Sequence, residues 1–237
     1  MSTTALRPLP AAYGTTRDAL HRLAVYVISP AQRLTNGEII LRPTPDGFST
    51  FEFGDGRVVG VRADRLVVDG AEHPIGSLRS AAALVGIEPD VGQQERFDVP
   101  PYGDLDEPLA VEAESSAALG DWYAIAARAL ESLRADATHD DDATIVRIWP
   151  EHFDVAIDLG SSDDQRRATY GASPGDRHHD EPYLYASPWA GRIDAFFDDP
   201  EFKGASLLRS QLERESDPMR VAVQFLREAR DRVRSHA

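Results

Sequence analysis

One run of alternating side chains constrains the fold of this chain more than any other feature. From His152 to Leu159, apolar residues occupy every second position. Because successive side chains of a strand point to opposite faces, the run predicts a strand with one apolar and one polar face. It belongs to the stretch Thr144–Trp189, which holds two of the three tryptophans and three of the seven histidines. We therefore expect any functional groups to lie on or near this predicted sheet.

A motif before this strand repeats one found earlier in the chain. The pattern Arg42-x-x-Pro45-Asp46-x-Phe48 recurs as Arg147-x-x-Pro150-Glu151-x-Phe153, 105 residues later. Each copy follows an amphipathic helix and precedes further predicted strands. The repeat predicts an α+β fold in which two similar helix–four-strand–helix units form one antiparallel-sheet domain with flanking helices. The predicted ranges are 14–87 for the first unit, 88–117 for an acidic proline-rich connector, and 118–236 for the second unit.

Charge is concentrated in and after that connector. Residues 88–142 hold 15 acids and 3 arginines, a net charge of −12, which leaves −3 of the total −15 for the rest of the chain. A negative field repels phosphate backbones, so no nucleic-acid partner is expected. The prolines at positions 89, 100, 101 and 108 favour an extended strap over a mobile lid.

Composition indicates the environment of the protein. With no cysteine, the chain has no disulfide, thiolate metal site or cysteine nucleophile. Its longest apolar run, Leu23–Ile28, is far too short to span a membrane, and the start MSTTALRPLP does not resemble a signal peptide. We expect a cytoplasmic protein without a membrane partner, and the sequence indicates no oligomeric state.

Three short motifs of the second half carry a family resemblance. They are Phe153-Asp154-Val155-Ala156, Ser173-Pro174-Gly175 and Glu181-Pro182-Tyr183-Leu184-Tyr185. Together they resemble a bacterial family known only as a domain of unknown function. The resemblance covers most of the chain and implies a helix leading into a sheet, with a proline-rich connector near Ile87–Leu105. It implies no activity.

The same half contains a candidate ligand site. Its aromatic side chains could line a pocket in which an arginine and a carboxylate orient a polar ligand. The same rings could instead fill the space between sheet and helices. The candidate ligand-binding residues are Arg147, Trp149, His152, Asp154, Tyr183, Tyr185 and Trp189.

The alternative is an enzyme of unassigned reaction that uses His/Asp acid–base or metal chemistry. Two histidines and a carboxylate suit zinc, manganese or iron, and the candidate metal residues are His152, Asp154, His178 and His179. In the repeat, His152 takes the place of Gly47, so we predict a positive φ at His152. His21, on the first predicted helix, is expected to be a helix-surface histidine or a satisfied core histidine rather than a catalytic one.

No reaction, catalytic residue or cofactor can be assigned from the sequence. Neither a G-x-S-x-G motif nor a glycine-rich phosphate loop occurs. Of the two hypotheses, the sequence favours small-molecule binding in a pocket of the second half.

Overall fold

The protein is an α+β molecule, as the sequence predicts. The computed structural model describes residues 6–53, 56–96, 99–161, 165–191 and 194–235. Its helices are α1 (Tyr13–Leu23), which continues through a π-helical segment (Ala24–Ile28) into α2 (Ser29–Asn36), α3 (Leu78–Val85), α4 (Gln93–Arg96), α5 (Ala113–Ala135), a 3₁₀ turn (His139–Asp141), α6 (Arg209–Leu212) and α7 (Pro218–Arg234). Within the described ranges, no helix combines the length and apolar character needed to cross a membrane.

The strands form two five-stranded antiparallel sheets. The first contains β1 (Arg42–Thr44), β2 (Gly47–Ser49), β3 (Val59–Arg62), β4 (Arg65–Val68) and β5 (Ala71–Pro74); the second contains β6 (Arg147–Trp149), β7 (Asp154–Leu159), β8 (Ala168–Ser173), β9 (Tyr183–Pro188) and β10 (Ala205–Leu208). In both sheets the strands are neighbours in chain order.

The predicted number of four strands in each unit is wrong, because β5 and β10 add a fifth strand to each sheet. β5 reads Ala-Glu-His-Pro and is mostly exposed, so no apolar alternation marks it. β10 follows an irregular aromatic segment and is only partly buried. Both are edge strands that form by hydrogen bonding to a neighbouring strand, β5 to β4 and β10 to β9. The internal duplication stays a prediction.

Contacts divide the chain into two compact units that alternate along the sequence. Unit I comprises Pro8–Ala124 together with Ile148–Phe153. Unit II comprises Met1–Arg7, Ile125–Arg147 and Asp154–Ala237. The long helix α5 contributes its first part to unit I and its second part to unit II.

In unit I, hydrogen bonds to backbone carbonyls hold the acidic connector in place. The amide of Asp90 donates to the carbonyl of Tyr26 (2.9 Å), and that tyrosine's hydroxyl donates to the carbonyl of Pro100 (2.5 Å). Further along, the amide of Arg79 donates to the carbonyl of Leu105 (3.0 Å). The connector is thus bonded to α3 and to the π-helical segment, as expected for an extended segment that lies across other elements.

In unit II, helix α7 packs on the apolar face of the second sheet. Asp217 caps the helix by accepting a hydrogen bond from the Arg220 amide (3.0 Å), with Pro218 as the first helical residue. A stripe at helical spacing is buried on α7: Ala222, Leu226, Ala229 and Val233. The buried side chains of the sheet face include Val155, Ile157, Leu159, Tyr170, Ala172, Leu184 and Ala186.

Candidate functional site

The polar face of the second sheet carries most of the predicted site. Strand register aligns Asp158 with Thr169 and Ser187, and aligns Gly171 with Tyr185. Because strand side chains alternate, residues two positions apart share this face. Its members are Asp154, Ala156 and Asp158 on β7, Thr169, Gly171 and Ser173 on β8, and Tyr183, Tyr185 and Ser187 on β9.

At one end of this face, three of the predicted residues come together. The Tyr185 hydroxyl donates to the carboxylate of Asp154, and the Tyr183 hydroxyl donates to Asp176 (2.8 Å). The two tyrosine rings are 6.1 Å apart, and Phe202 lies 6.0 and 6.2 Å from them. Only 4% of Asp154 and 4% of Tyr183 is exposed. We call these five residues the tyrosine cluster; its rings pack against one another.

The ionisation of this cluster is fixed by its own members. Burial and the Asp154 carboxylate raise the pKa of Tyr185 well above its ordinary value. Burial and the charge of Asp176 raise the pKa of Tyr183 in the same way. Burial would raise the pKa of Asp176, but hydrogen bonds from the His178 amide and from the Tyr183 and Ser173 hydroxyls bring it below the usual range. The tyrosines therefore remain donors and Asp176 an acceptor near neutral pH.

Beside the cluster, His179 is paired with a buried carboxylate. Its Nε2 lies 2.9 Å from Oδ2 of Asp199, which also accepts from the Ser206 hydroxyl. The imidazole is 4.7 Å from the ring of Tyr183, in an edge-on arrangement. The ring of Phe202 lies 6.0 Å from the imidazole of His178 and 6.5 Å from that of His179.

The candidate metal residues do not form a ligand set. Among the described residues, no group of three or more His, Asp or Glu side chains is placed to hold a metal ion. His179 is paired with Asp199, and Asp154 with Tyr185.

The predicted positive φ at His152 is wrong, since Phe153 takes that conformation instead, with φ at 56°. Trp149 ends β6, and His152 lies in the turn between β6 and β7. The Trp149 carbonyl accepts from the amides of His152 (3.2 Å) and Phe153 (2.7 Å). His152 is exposed. The residue with positive φ therefore lies one position later than the motif alignment predicts. The backbone conformation of His152 gives no reason to assign it a function.

Packing holds Phe153 in this uncommon conformation. Its ring is 1% exposed and lies 4.9 Å from His21, 5.3 Å from Phe48 and 5.7 Å from Tyr123. Its carbonyl accepts a hydrogen bond from the Tyr123 hydroxyl (2.5 Å). His21 stacks on the ring and donates from Nε2 to the Pro150 carbonyl (2.8 Å). The turn that contains Phe153 thus has a packing role in the core of unit I.

At the other end of the polar face, two more predicted residues are joined through a hydrogen-bond chain. Nη2 of Arg147 donates to Asp158 (3.0 Å), whose second oxygen accepts from the Thr169 hydroxyl (2.8 Å). That hydroxyl in turn accepts from the indole Nε1 of Trp189 (3.0 Å). The sequence placed Asp158 on the polar face but gave no reason to include it or Thr169 in the site.

The indole of Trp189 is exposed and fixed in place. It is 59% exposed, and the Arg167 guanidinium lies 5.0 Å from its ring centroid. Nη1 of Arg167 is anchored by the Gly160 carbonyl (2.9 Å) and the Asp142 carboxylate (3.2 Å). An open depression of about 280 Å³ is lined by Gln165, Arg167, Trp189 and Ala190. We call Arg147, Asp158, Arg167, Thr169 and Trp189 the Trp189 corner.

A larger groove of about 1210 Å³ runs along the outward face of α7. It contains none of the residues predicted from the sequence. Its walls alternate in charge, with four arginines and three acids: Arg128, Arg220, Arg227, Arg232, Asp217, Glu228 and Asp231. Such a mixed, open surface selects no class of ligand.

Comparison of the chain with protein-family models, with curated proteins and with solved structures gave no match. The resemblance to a domain of unknown function stays a prediction. The function must therefore be argued from the geometry of the site.

Proposed function

We propose that this protein binds a small molecule with a flat ring, which stacks on the indole of Trp189. The observation that carries the proposal is an indole that is 59% exposed yet held at its edge by Thr169 and across one face by Arg167. An indole combines a large flat apolar surface with a polar N–H edge, a shape that suits stacking against a planar ring. A preorganised ring also loses little conformational entropy when a ligand stacks on it.

The other predicted aromatic residues, Tyr183 and Tyr185, are less available to a ligand than Trp189. Tyr183 and Tyr185 have their hydroxyls bonded to Asp176 and Asp154, and their rings pack on Phe202. They therefore contribute packing. Arg147 acts through Asp158, which with Thr169 sets the position of the indole.

The alternative, acid–base catalysis, would start from the His179–Asp199 pair. Its imidazole lies beside the Tyr183 ring, and only 16% of the His179 side chain is exposed. Because Trp189 offers a far more accessible surface, ring binding is the better-supported function. A cytoplasmic location remains part of the proposal.

Binding can be followed at the tryptophan itself. The full-length chain, labelled with ¹⁵N, is titrated with a panel of nucleosides and a panel of monosaccharides while the indole N–H resonances are recorded. We expect the Trp189 resonance to shift with at least one panel. Trp122, which is 0% exposed, provides an internal reference that should not move.

A substitution then measures the contribution of the ring. Stacking on an aromatic side chain is worth about 1–3 kcal/mol, so Trp189→Ala should weaken binding roughly 5- to 150-fold. Leu34→Ala, which removes another exposed apolar side chain (72% exposed) from unit I, should leave binding unchanged. The proposal is wrong if neither panel moves the Trp189 resonance, or if both variants bind like the wild type.

A further inference from the structure

The charges around Trp189 cancel in pairs. Nη1 of Arg167 lies 3.2 Å from the carboxylate of Asp142, and Nη2 of Arg147 lies 3.0 Å from that of Asp158. Each guanidinium has its own carboxylate, so these four groups offer a ligand no unbalanced charge. The chain as a whole carries a net charge of −15, which repels anions. A ligand that stacks on Trp189 is therefore expected to be uncharged.

The depression beside Trp189 has one side chain that can both donate and accept hydrogen bonds. Of its four described lining residues, Arg167 and Trp189 carry donors only and Ala190 carries neither, whereas Gln165 has an amide with a carbonyl oxygen and an NH₂ group. Gln165 is exposed, and its side chain makes no hydrogen bond to a residue in the described part of the chain. Its amide is therefore available to a ligand.

The backbone brings this amide to the same depression as the indole. Gln165 lies two residues before Arg167, whose carbonyl accepts a hydrogen bond from the Trp189 amide (3.0 Å). Gln165 has φ at 56°, a conformation that is uncommon outside glycine and that occurs often at ligand sites. The next amide, of Arg166, donates to the carbonyl of Ser161 (3.0 Å) and closes the turn. The turn thus places Gln165 in the wall of the depression.

A carboxamide presents its acceptor and its donor side by side in one plane. A heterocycle whose edge carries a donor next to an acceptor can pair with both groups at once, as adenine does through its 6-amino group and N7. A monosaccharide carries hydroxyls around its whole ring, and a hydroxyl that is covered without a partner is unfavourable. With the single amide of Gln165 among its described lining residues, the depression favours a heterocycle over a sugar.

The size of the depression suits one ring system. Its volume is about 280 Å³, just below the range of about 300–1,000 Å³ that is typical of pockets for drug-sized ligands. We infer that the ligand of the Trp189 corner is an uncharged heterocycle of nucleobase size, which pairs along its edge with the Gln165 amide while its face stacks on Trp189. The inference rests on the proposed ring-binding function and assigns the class of its ligand.

Titration of the full-length, ¹⁵N-labelled chain with adenosine and with purine riboside tests the pairing. Purine riboside has the same ring system and ribose but lacks the 6-amino donor. At the Trp189 indole N–H, we expect adenosine to bind about 2- to 10-fold more tightly, the contribution of one neutral hydrogen bond. Gln165→Leu should remove this preference, so that the two nucleosides bind equally well. Gln224→Leu, the same change at an exposed position on α7, should keep it.

Two further ligands test the assigned class. Glucose should bind more weakly than adenosine, and adenosine 5′-monophosphate, which adds a charged phosphate, should bind no more tightly than adenosine. Tighter binding of either would overturn the inference, as would an adenosine preference that is absent from the wild type or unchanged in Gln165→Leu. In each of these cases the Trp189 resonance still moves, so the ring-binding function stands. A Trp189 resonance that no ligand moves would overturn both proposals.

Discussion

At the scale of single residues, the most informative side chain is a histidine with a structural role. His21 stacks on Phe153 at 4.9 Å and bonds to the Pro150 carbonyl, so it is a satisfied core histidine, one of the two structural roles that the sequence predicts. Burial lowers its pKa from 6.5 to about 4, while nearby Asp18 opposes this and Arg17 and His152 add to it. The folded protein thus keeps the imidazole neutral well below the pH at which the unfolded chain protonates it.

This shift predicts a stability that depends on pH. Between pH 6.5 and about 4 the unfolded state binds more protons at His21 than the folded state, so stability falls as the pH falls. The contribution is at most about 3 kcal/mol, because each unit of pKa corresponds to ~1.4 kcal/mol and a partly buried ring is partly screened.

Urea unfolding of the wild type and of His21→Phe at a series of pH values would measure it. The variant keeps a ring against Phe153 but cannot titrate, and we expect its stability to fall less between pH 6.5 and 4. Parallel curves for the two proteins would contradict the assignment.

At the scale of elements, β8 and β9 depend on a glycine that lies beneath a tyrosine. Gly171 pairs with Tyr185 across the two strands. A Cβ at position 171 would stand 2.5 Å from the Tyr185 hydroxyl oxygen and from the adjacent ring carbon. The ring cannot move aside at low cost, because its hydroxyl is bonded to Asp154 and its edge contacts Phe202.

We therefore expect Gly171→Ala to destabilise the protein by about 1–3 kcal/mol, the usual cost of overpacking a buried site. Gly14→Ala is the matched control, because nothing lies within 4 Å of its added Cβ and the site is helical. That variant should be neutral or more stable by up to about 1 kcal/mol. Chemical denaturation of both variants checks the prediction. Equal denaturation midpoints for the two variants would show that the Tyr185 ring moves aside without a cost in stability.

At the scale of the whole molecule, unit I is completed by residues from the second half of the chain. The amide of Leu41 donates to the carbonyl of Ile148 (3.0 Å), and the reverse bond is 2.7 Å. The buried Phe153 has its ring partners Phe48 and Tyr123 in the same unit. The predicted ranges 14–87, 88–117 and 118–236 stay predictions that expression of fragments can test.

Residues 1–117 expressed alone should unfold without a cooperative transition. The fragment lacks Ile148, the backbone partner of Leu41, and it lacks Phe153, so it exposes Phe48, which is 0% exposed in the complete chain. Co-expression with residues 118–236 supplies these partners and should restore the transition, as monitored by circular dichroism. A 1–117 fragment that melts as sharply as the complete chain would show that unit I does not need residues from the second half.

The sequence determined much of the local structure. Period-two alternation in Phe153–Leu159 fixed both the strand β7 and its faces, because the alternation is a property of the strand alone. The start of α7 at Asp217 and Pro218 is local in the same way, since capping involves only neighbouring residues. Within the candidate site, the sequence identified Trp189, Arg147, Tyr185 and Asp154 but could not say which of them contact each other.

Tertiary structure alone decided which of these residues remain available to a ligand. The hydroxyls of Tyr183 and Tyr185 are bonded to carboxylates and their rings pack on Phe202. The indole of Trp189 is exposed and its N–H is bonded to Thr169. The Trp189 corner joins residues as far apart in the chain as Arg147 and Trp189. A sequence pattern reports the faces of one element at a time, but contacts between elements depend on register, packing and charge, which exist only in the folded chain.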